Sequence, residues 1–242
     1  MAVVTAVLGL LMVVVMAEAA SDTNNVNQPC QDTKVQRSDG FTLGIAISSR
    51  ISFYHNRNFS DQQLSPCDSR LSLSSFNSKV VVFRPKVDEI SLLTINSTAS
   101  IFSESGGYMV AFAGRKQAAR SYPTFIGNGT YTVTSFTLVL EFDKGVLQNL
   151  YWKRSGCGAC SGGNSKAVCI NNSECAIKSS SCKGSGGTID CSLGIQLAFS
   201  GTDKHLSVFN SWYEVSRLQQ YSLYGLYSNL KDSLNNQLNN FF

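Results

Sequence analysis

Histidine is almost missing from this chain: 242 residues carry two, His55 and His205. Neither stands in a nucleophile motif. No G-x-S-x-G occurs, the nearest approach being Gly163-Asn164-Ser165-Lys166-Ala167, so the strand-to-helix elbow that presents a catalytic serine to a histidine base has no signature here. His55, in SFYHNRN, and His205, in TDKHL, read as loop histidines. A strong basic footprint is lacking too. The densest basic stretch is GRKQAARSY, with Arg115, Lys116 and Arg120, followed later by Lys153-Arg154; without a presenting motif this does not make a nucleic-acid binder. It reads as a solvated turn, or as a contact for acidic polysaccharide. Before Trp212 no segment carries a long helical period, which excludes a parallel α/β architecture.

What is present points to export. The first segment, MAVVTAVLGLLMVVVMAEAA, runs without charge from Ala2 to Ala17 and then offers Ala17-Glu18-Ala19, a small-x-small cleavage pattern. Residues 1–19 are therefore expected to be a removed signal peptide, with the mature chain starting at Ala20. A retained anchor is the alternative, because no basic residue precedes the apolar run; that run is nevertheless shorter than the roughly 20 residues of a comfortable span. Loss of Glu18 leaves 20 basic and 15 acidic side chains, a mild formal charge of +5. Four N-x-S/T sequons follow, at Asn58, Asn96, Asn128 and Asn171, none with Pro in the middle. Together with an even cysteine count they agree on the secretory route and an oxidising destination.

Alternation dominates the middle of the chain. In FTLGIAIS, Phe41, Leu43, Ile45 and Ile47 share one face; SFTLVLEF repeats this with Phe136, Leu138, Leu140 and Phe142, and SLGIQLAFS with Leu193, Ile195, Leu197 and Phe199. Such segments are half-buried strands. Further strands are expected at residues 80–83, 90–95, 108–113, 130–133, 146–152 and 206–212. Asp143-Lys144-Gly145 and Gly201-Thr202-Asp203 are short enough to join antiparallel neighbours. The expected fold is mainly β, an antiparallel sandwich or jelly-roll-like barrel over residues 20–212, with a core burying roughly 70% of the unfolded chain's surface. From Trp212 the period changes: Trp212, Val215, Leu218, Leu223, Leu226, Leu230, Leu234 and Leu238 recur mostly at three- and four-residue steps. Residues 213–242 are expected to be an amphipathic helix with a polar tail, its stripe covering an open face of the sheet.

Six of the eight cysteines crowd into SGCGACSGGNSKAVCINNSECAIKSSSCKGSGGTIDC, residues 155–191. A thiol oxidoreductase would need a helix directly under Cys157-Gly158-Ala159-Cys160, and Ser161-Gly162-Gly163 breaks one. Zinc would want a second CxxC or a Cys/His pair, and the remaining intervals are eight, five, six and eight residues with no histidine among them. A chitin-binding knot of the hevein type holds sugars on exposed rings, yet no Trp, Tyr or Phe lies between Trp152 and Phe199. What remains is a stapled insertion: three local disulfides among Cys157, Cys160, Cys169, Cys175, Cys182 and Cys191, of fifteen possible connectivities, with Cys30 left to Cys67. Neither metal nor cofactor is expected.

Two candidate sites stand outside that cluster. Tyr108, Tyr122, Tyr151 and Trp152 lie near Arg115, Lys116 and Arg120 in sequence, and rings beside cations on a sheet face can hold polysaccharide. The partner expected is cell-wall polysaccharide or an extracellular protein, with no nucleic acid and no stable membrane span once the signal is cleaved. Alternatively, Glu141 and Asp143 share a side near a turn, and a glycosidase needs two carboxyl groups about 5 to 10 Å apart. At YWKRSGCGACSGG and at HLSVFNSWYEVSRLQQYSLYGLYSNLKDSL the chain resembles a family of plant secretory cysteine-rich proteins. The resemblance implies an apoplastic or endomembrane protein and brings no activity, ligand or catalytic residue with it. The leading expectation is thus a secreted, N-glycosylated, non-enzymatic binding or structural component; a carbohydrate-active enzyme comes second and thiol exchange through the CxxC third.

Overall fold

The computed structural model describes residues 21–71, 73, 77–96, 106–154, 156–157, 160, 167–170 and 172–218. The leader, the sequon asparagine Asn171 and the continuation of the C-terminal stripe through Leu223, Leu226, Leu230, Leu234 and Leu238 lie outside these residues. The strands are β1 (Leu43–Ser49), β2 (Lys79–Phe83), β3 (Ser91–Ile95), β4 (Gly107–Phe112), β5 (Thr124–Phe125), β6 (Tyr131–Val133), β7 (Ser135–Asp143), β8 (Val146–Lys153), β9 (Ala167–Ile170), β10 (Glu174–Lys178) and β11 (Leu193–Gly201). A helix, α1, covers Ser211–Leu218. The strands form three sheets, ordered β2-β1-β4-β5, β3-β11-β7-β8 and β6-β10-β9.

Period-two alternation decides which residues meet. Leu43, Ile45 and Ile47 of β1 and Met109 and Ala111 of β4 share a single core with Phe136, Leu138, Leu140 and Phe142 of β7 and with Leu193, Ile195, Leu197 and Phe199 of β11. Each such side chain contributes about 1.5–3 kcal/mol when fully buried. Phe142, Phe199 and Phe209 pack ring on ring at one end, with centroids 5.6 to 6.3 Å apart.

The outer faces of the two four-stranded sheets are also covered. On the first, Ala46, Val110 and Phe112 are buried under Phe53 and are flanked by Cys30, Tyr54, Cys67 and Leu73. On the second, Val139 and Ala198 are buried under Val215 of α1, with Trp212 and Tyr151 beside them. The C-terminal stripe thus does cover a sheet face, as far as α1 is described.

Two expectations need correction. β11 runs parallel to β7 over eight residue pairs, from Gly194 opposite Ser135 to Gly201 opposite Phe142, so the sheets are not all antiparallel. A parallel neighbour needs a long crossover, and the cysteine-rich stretch between β8 and β11 supplies it. Second, residues 206–212 form no strand. Asp203 accepts hydrogen bonds from the backbone N–H groups of His205 and Ser207, curling the chain into a loop with Leu206 at φ +67°. Only the Thr202 to Val208 bridge remains of the expected pairing, and α1 begins at Ser211. The Asp143-Lys144-Gly145 turn does join antiparallel strands, β7 and β8.

The first described residues are tied down by polar contacts. Asp39, wholly buried, accepts from the Thr23 and Gln36 backbone N–H groups, and the Asn24 amide donates to the Gly40 carbonyl at 2.6 Å. Arg84 pairs with Asp22 at 2.6 Å, and Lys204 Nζ donates to Thr23 Oγ1. Among the described residues no helix is long and apolar enough to cross a membrane.

Candidate functional site

The cysteine-rich stretch is built on strands rather than on loop alone. β9 and β10 form an antiparallel hairpin whose turn places Asn172 at φ +54°, and β10 continues pairing to β6. All eight cysteines are bonded: Cys30 to Cys67, Cys157 to Cys169, Cys160 to Cys175 and Cys182 to Cys191. Cys182 and Cys191 are buried with Ile177 and against Ile189, a small apolar cluster of their own. Because Cys157 and Cys160 take different partners, the CxxC is not the reversible dithiol that an oxidoreductase uses. Burial raises the pKa of the Glu174 carboxyl next to this region, the Arg154 charge opposing it. No group of three or more His, Cys, Asp or Glu side chains among the described residues is arranged to hold a metal.

The structure divides the sequence's aromatic and basic candidates among several surfaces. Tyr108 lies on the outer face of β4, edge-on to Phe125 at 5.7 Å. Tyr122, in the β4–β5 connection, is 77% exposed. Arg115 is exposed, and Lys116 pairs with Asp32 at 3.0 Å. Arg120 folds inward and donates to the Gln63 carbonyl; burial lowers its pKa, and its Nε finds no partner. Adjacent strand residues point to opposite faces, so Tyr151 and Trp152 part company. Trp152 turns toward the core and packs on Phe136 at 5.8 Å, whereas Tyr151 points outward beside Val139 and α1.

That outward side of β7 and β8 holds the most developed polar arrangement among the candidates. Glu141 and Asn149 are register partners, and Asn149 Nδ2 donates to Glu141 Oε2 at 3.0 Å. Tyr151 Oη donates to Glu141 Oε1 at 3.3 Å. Burial, then the charge of Glu141, raises the Tyr151 pKa. Next along β8, Lys153 Nζ lies 4.3 Å from the Trp212 ring centroid. The result is a strip of Asn149, Glu141, Tyr151, Lys153 and Trp212, combining a fixed carboxylate, an amide, a phenol, a cation and a ring. Sequence reasoning met Glu141, Tyr151 and Trp212 under three separate headings, and only the β7–β8 register unites them.

A hydrolytic pair is less well served. Both Glu141 oxygens are engaged by neighbours, and a bulge between Glu141 and Phe142 shifts the register before Asp143, which is exposed beside the turn. The histidine side chains make only surface contacts among the described residues: exposed His205 has Nε2 3.0 Å from Gln36 Oε1, and half-buried His55 has Nδ1 3.9 Å from Asp61 Oδ2.

No curated protein and no solved structure matches this chain. A family model does match, over residues 1–132 and again over 124–239, which together take in nearly the whole sequence. The chain belongs to the family described as "Uncharacterised protein DDB_G0273449".

Proposed function

We propose that this protein is exported, N-glycosylated, and acts outside the cell as a non-enzymatic binding or structural component. The observation that carries the reading is the complete pairing of eight cysteines with no free thiol, the state an oxidising compartment produces and the cytosol reverses. The sequon asparagines Asn58, Asn96 and Asn128 are all exposed. Asn58 and Asn128 each use Oδ1 to accept local backbone N–H groups, which directs the glycan-accepting Nδ2 away from the turn. In this reading residues 1–19 are a removed leader, and the two sheets that share one core form a sandwich into which residues 155–191 are inserted. Residues 213–242 continue the covering helix into a polar tail. The plant apoplast or cell wall is the setting.

The binding surface is the outward strip of β8 beside α1. A phenol, an amide and a carboxylate in fixed relation can read sugar hydroxyls, and the adjacent rings supply apolar contact. An array of plant cell-wall polysaccharides tests this: wild-type protein is expected to retain at least one, and Tyr151→Ala to lose it while Tyr122→Ala does not. Binding without sugar release supports the reading. Release that disappears in Glu141→Gln would turn it toward a carbohydrate-active enzyme. Free thiols in native material, or unprocessed chain recovered from cytosol, would defeat the export reading.

A further inference from the structure

The pairing leaves the CxxC segment with a chemical possibility that a simple staple does not need. Cys157 and Cys160 are bonded to Cys169 and Cys175, and those two residues are direct register partners across β9 and β10. Residues directly opposite in an antiparallel pair have Cα atoms about 4.5–5.5 Å apart, within the separation a disulfide bridges. The hairpin sulfurs therefore share one face and are close enough to bond to each other. Cys157 and Cys160, three positions apart, have the spacing at which cysteines pair in CxxC motifs. Four sulfurs thus admit a second complete pairing, Cys157 with Cys160 and Cys169 with Cys175. It closes much shorter loops than the observed sequence separations of 12 and 15, and short flexible loops are easier to close.

Access separates these sulfurs from the Cys182–Cys191 pair, whose residues are 4% and 7% exposed. Cys30 and Cys67 are half-buried like three of the four, but they pack against the outer face of the first sheet in a cluster that holds no other cysteine. Cys169 is exposed, and Cys157, Cys160 and Cys175 are half-buried. An attacking thiolate needs such access.

We propose that Cys157, Cys160, Cys169 and Cys175 form a thiol-reactive site that takes a low-molecular-weight thiol of the glutathione class and interconverts the two pairings. The small thiolate attacks Cys169, breaking its bond to Cys157 and leaving a mixed disulfide on Cys169. The freed Cys157 thiolate attacks Cys160, forming the CxxC disulfide and expelling the Cys175 thiolate. Cys175 then attacks Cys169 across the hairpin, forming the cross-strand disulfide and releasing the small thiol. Two protein disulfides break and two form; nothing is oxidised or reduced, and the thiol is regenerated. The product no longer fastens the CxxC segment to the hairpin, so the exchange loosens the segment while β9 and β10 stay bridged.

Trypsin reads the outcome directly, because Arg154, Lys166 and Lys178 bound one peptide holding Cys157 and Cys160 and another holding Cys169 and Cys175. Native protein is incubated with reduced glutathione, alkylated, digested without reduction and mapped by mass spectrometry. The observed pairing yields the two peptides linked. The expected result is loss of that linked species and a matching gain of two separate, internally bridged peptides, while Cys30–Cys67 and Cys182–Cys191 persist. In the doubly substituted Cys160→Ser, Cys175→Ser protein the single remaining link is expected to persist or be reduced, with no internally bridged peptide appearing. The proposal is overturned if the wild-type peptides separate only with all four cysteines alkylated, or stay linked throughout. It rests on the pairing and not on export; failure of the export reading would appear earlier, as free thiols before any glutathione is added.

Discussion

Asp88 offers the sharpest test of how the second sheet keeps its cover. It sits between β2 and β3 at φ +64° with its side chain 4% exposed. Oδ1 accepts the backbone N–H groups of Asn210 and Ser211, at 2.7 and 2.9 Å, which fixes the start of α1. Oδ2 takes Arg37 Nη2 at 2.7 Å. Three substitutions separate these roles. Asp88→Asn keeps the Oδ1 acceptor and tolerates the left-handed backbone; its Nδ2 cannot accept from Arg37, so the ion pair is lost and Arg37, about half exposed, has to turn to water, at a cost of about 1 kcal/mol. Asp88→Gly keeps the backbone relaxed but removes the cap and strands two N–H groups, costing roughly 2–3 kcal/mol. Asp88→Ala adds the left-handed strain of a Cβ, for roughly 3–4 kcal/mol in all. In a chain of this size each kcal/mol moves the Tm by roughly 2–4 °C, so losses of about 3, 8 and 11 °C are expected. Thermal unfolding followed by circular dichroism under non-reducing conditions measures them. If Gly is as stable as Asn, the cap is unimportant and the argument fails; if Ala is no worse than Gly, the left-handed conformation is not what the chain adopts.

Replacing Cys30 and Cys67 together by serine removes a crosslink spanning 37 residues and is expected to cost about 4 kcal/mol by loop entropy, read as a lower denaturant midpoint. Phe199 is fully buried between Phe142 and Phe209, so Phe199→Ala should cost about 4 kcal/mol in the same assay. The Arg70 side chain and backbone N–H hold Asp68, lowering its pKa from 3.8 to about 2. Its contribution to stability is therefore present above the ordinary value and lost as pH falls toward 2. Carboxyl NMR should find this titration near pH 2. Arg70→Ala should move it part of the way back toward the ordinary range, the backbone N–H of residue 70 still holding Asp68 Oδ1, with little change in overall stability, since the pair is solvated.

The strands of the shared core were legible because their two faces differ in chemistry. Phe41 to Ile47, Phe136 to Phe142 and Leu193 to Phe199 alternate cleanly, and the alternation decides which side chains enter the shared core. It did not show that the other face would be covered too, since nearly every residue of these strands is buried. Two features escaped for physical reasons. AVCI and ECAIK are short, and their cysteines drew attention to crosslinking, although Asn171-Asn172 between two apolar runs is a usable hairpin signal. The apolar residues Leu206 and Val208 suggested a strand, but Asp203 satisfies the local N–H groups and turns the chain before pairing can extend. The polar strip on β8 was legible only in pieces. Glu141, Asn149 and Tyr151 are brought together by strand register, which a single sequence leaves open, and the opposed directions of Tyr151 and Trp152 follow from the pleat once β8 is placed.

Stability in this molecule is divided between two mechanisms, and the division explains where the cysteines are. The shared core buries large side chains from both four-stranded sheets, so hydrophobic burial alone can hold it against backbone entropy. Among its described residues the β9–β10 region reaches that core only through Ala176 and the half-buried Ile170; its own buried apolar cluster is Ile177 with the Cys182–Cys191 sulfurs. Three of the four disulfides fall there, in the stretch least able to order itself. A crosslink adds most where burial adds least, and local opening is drawn from regions of few buried contacts. Graded reduction should therefore loosen the cysteine-rich region while β1, β4, β7 and β11 keep their amide protection, which hydrogen exchange can follow residue by residue. A thiol that rearranges Cys157, Cys160, Cys169 and Cys175 would then change one surface of the molecule and leave the core that supports it unchanged.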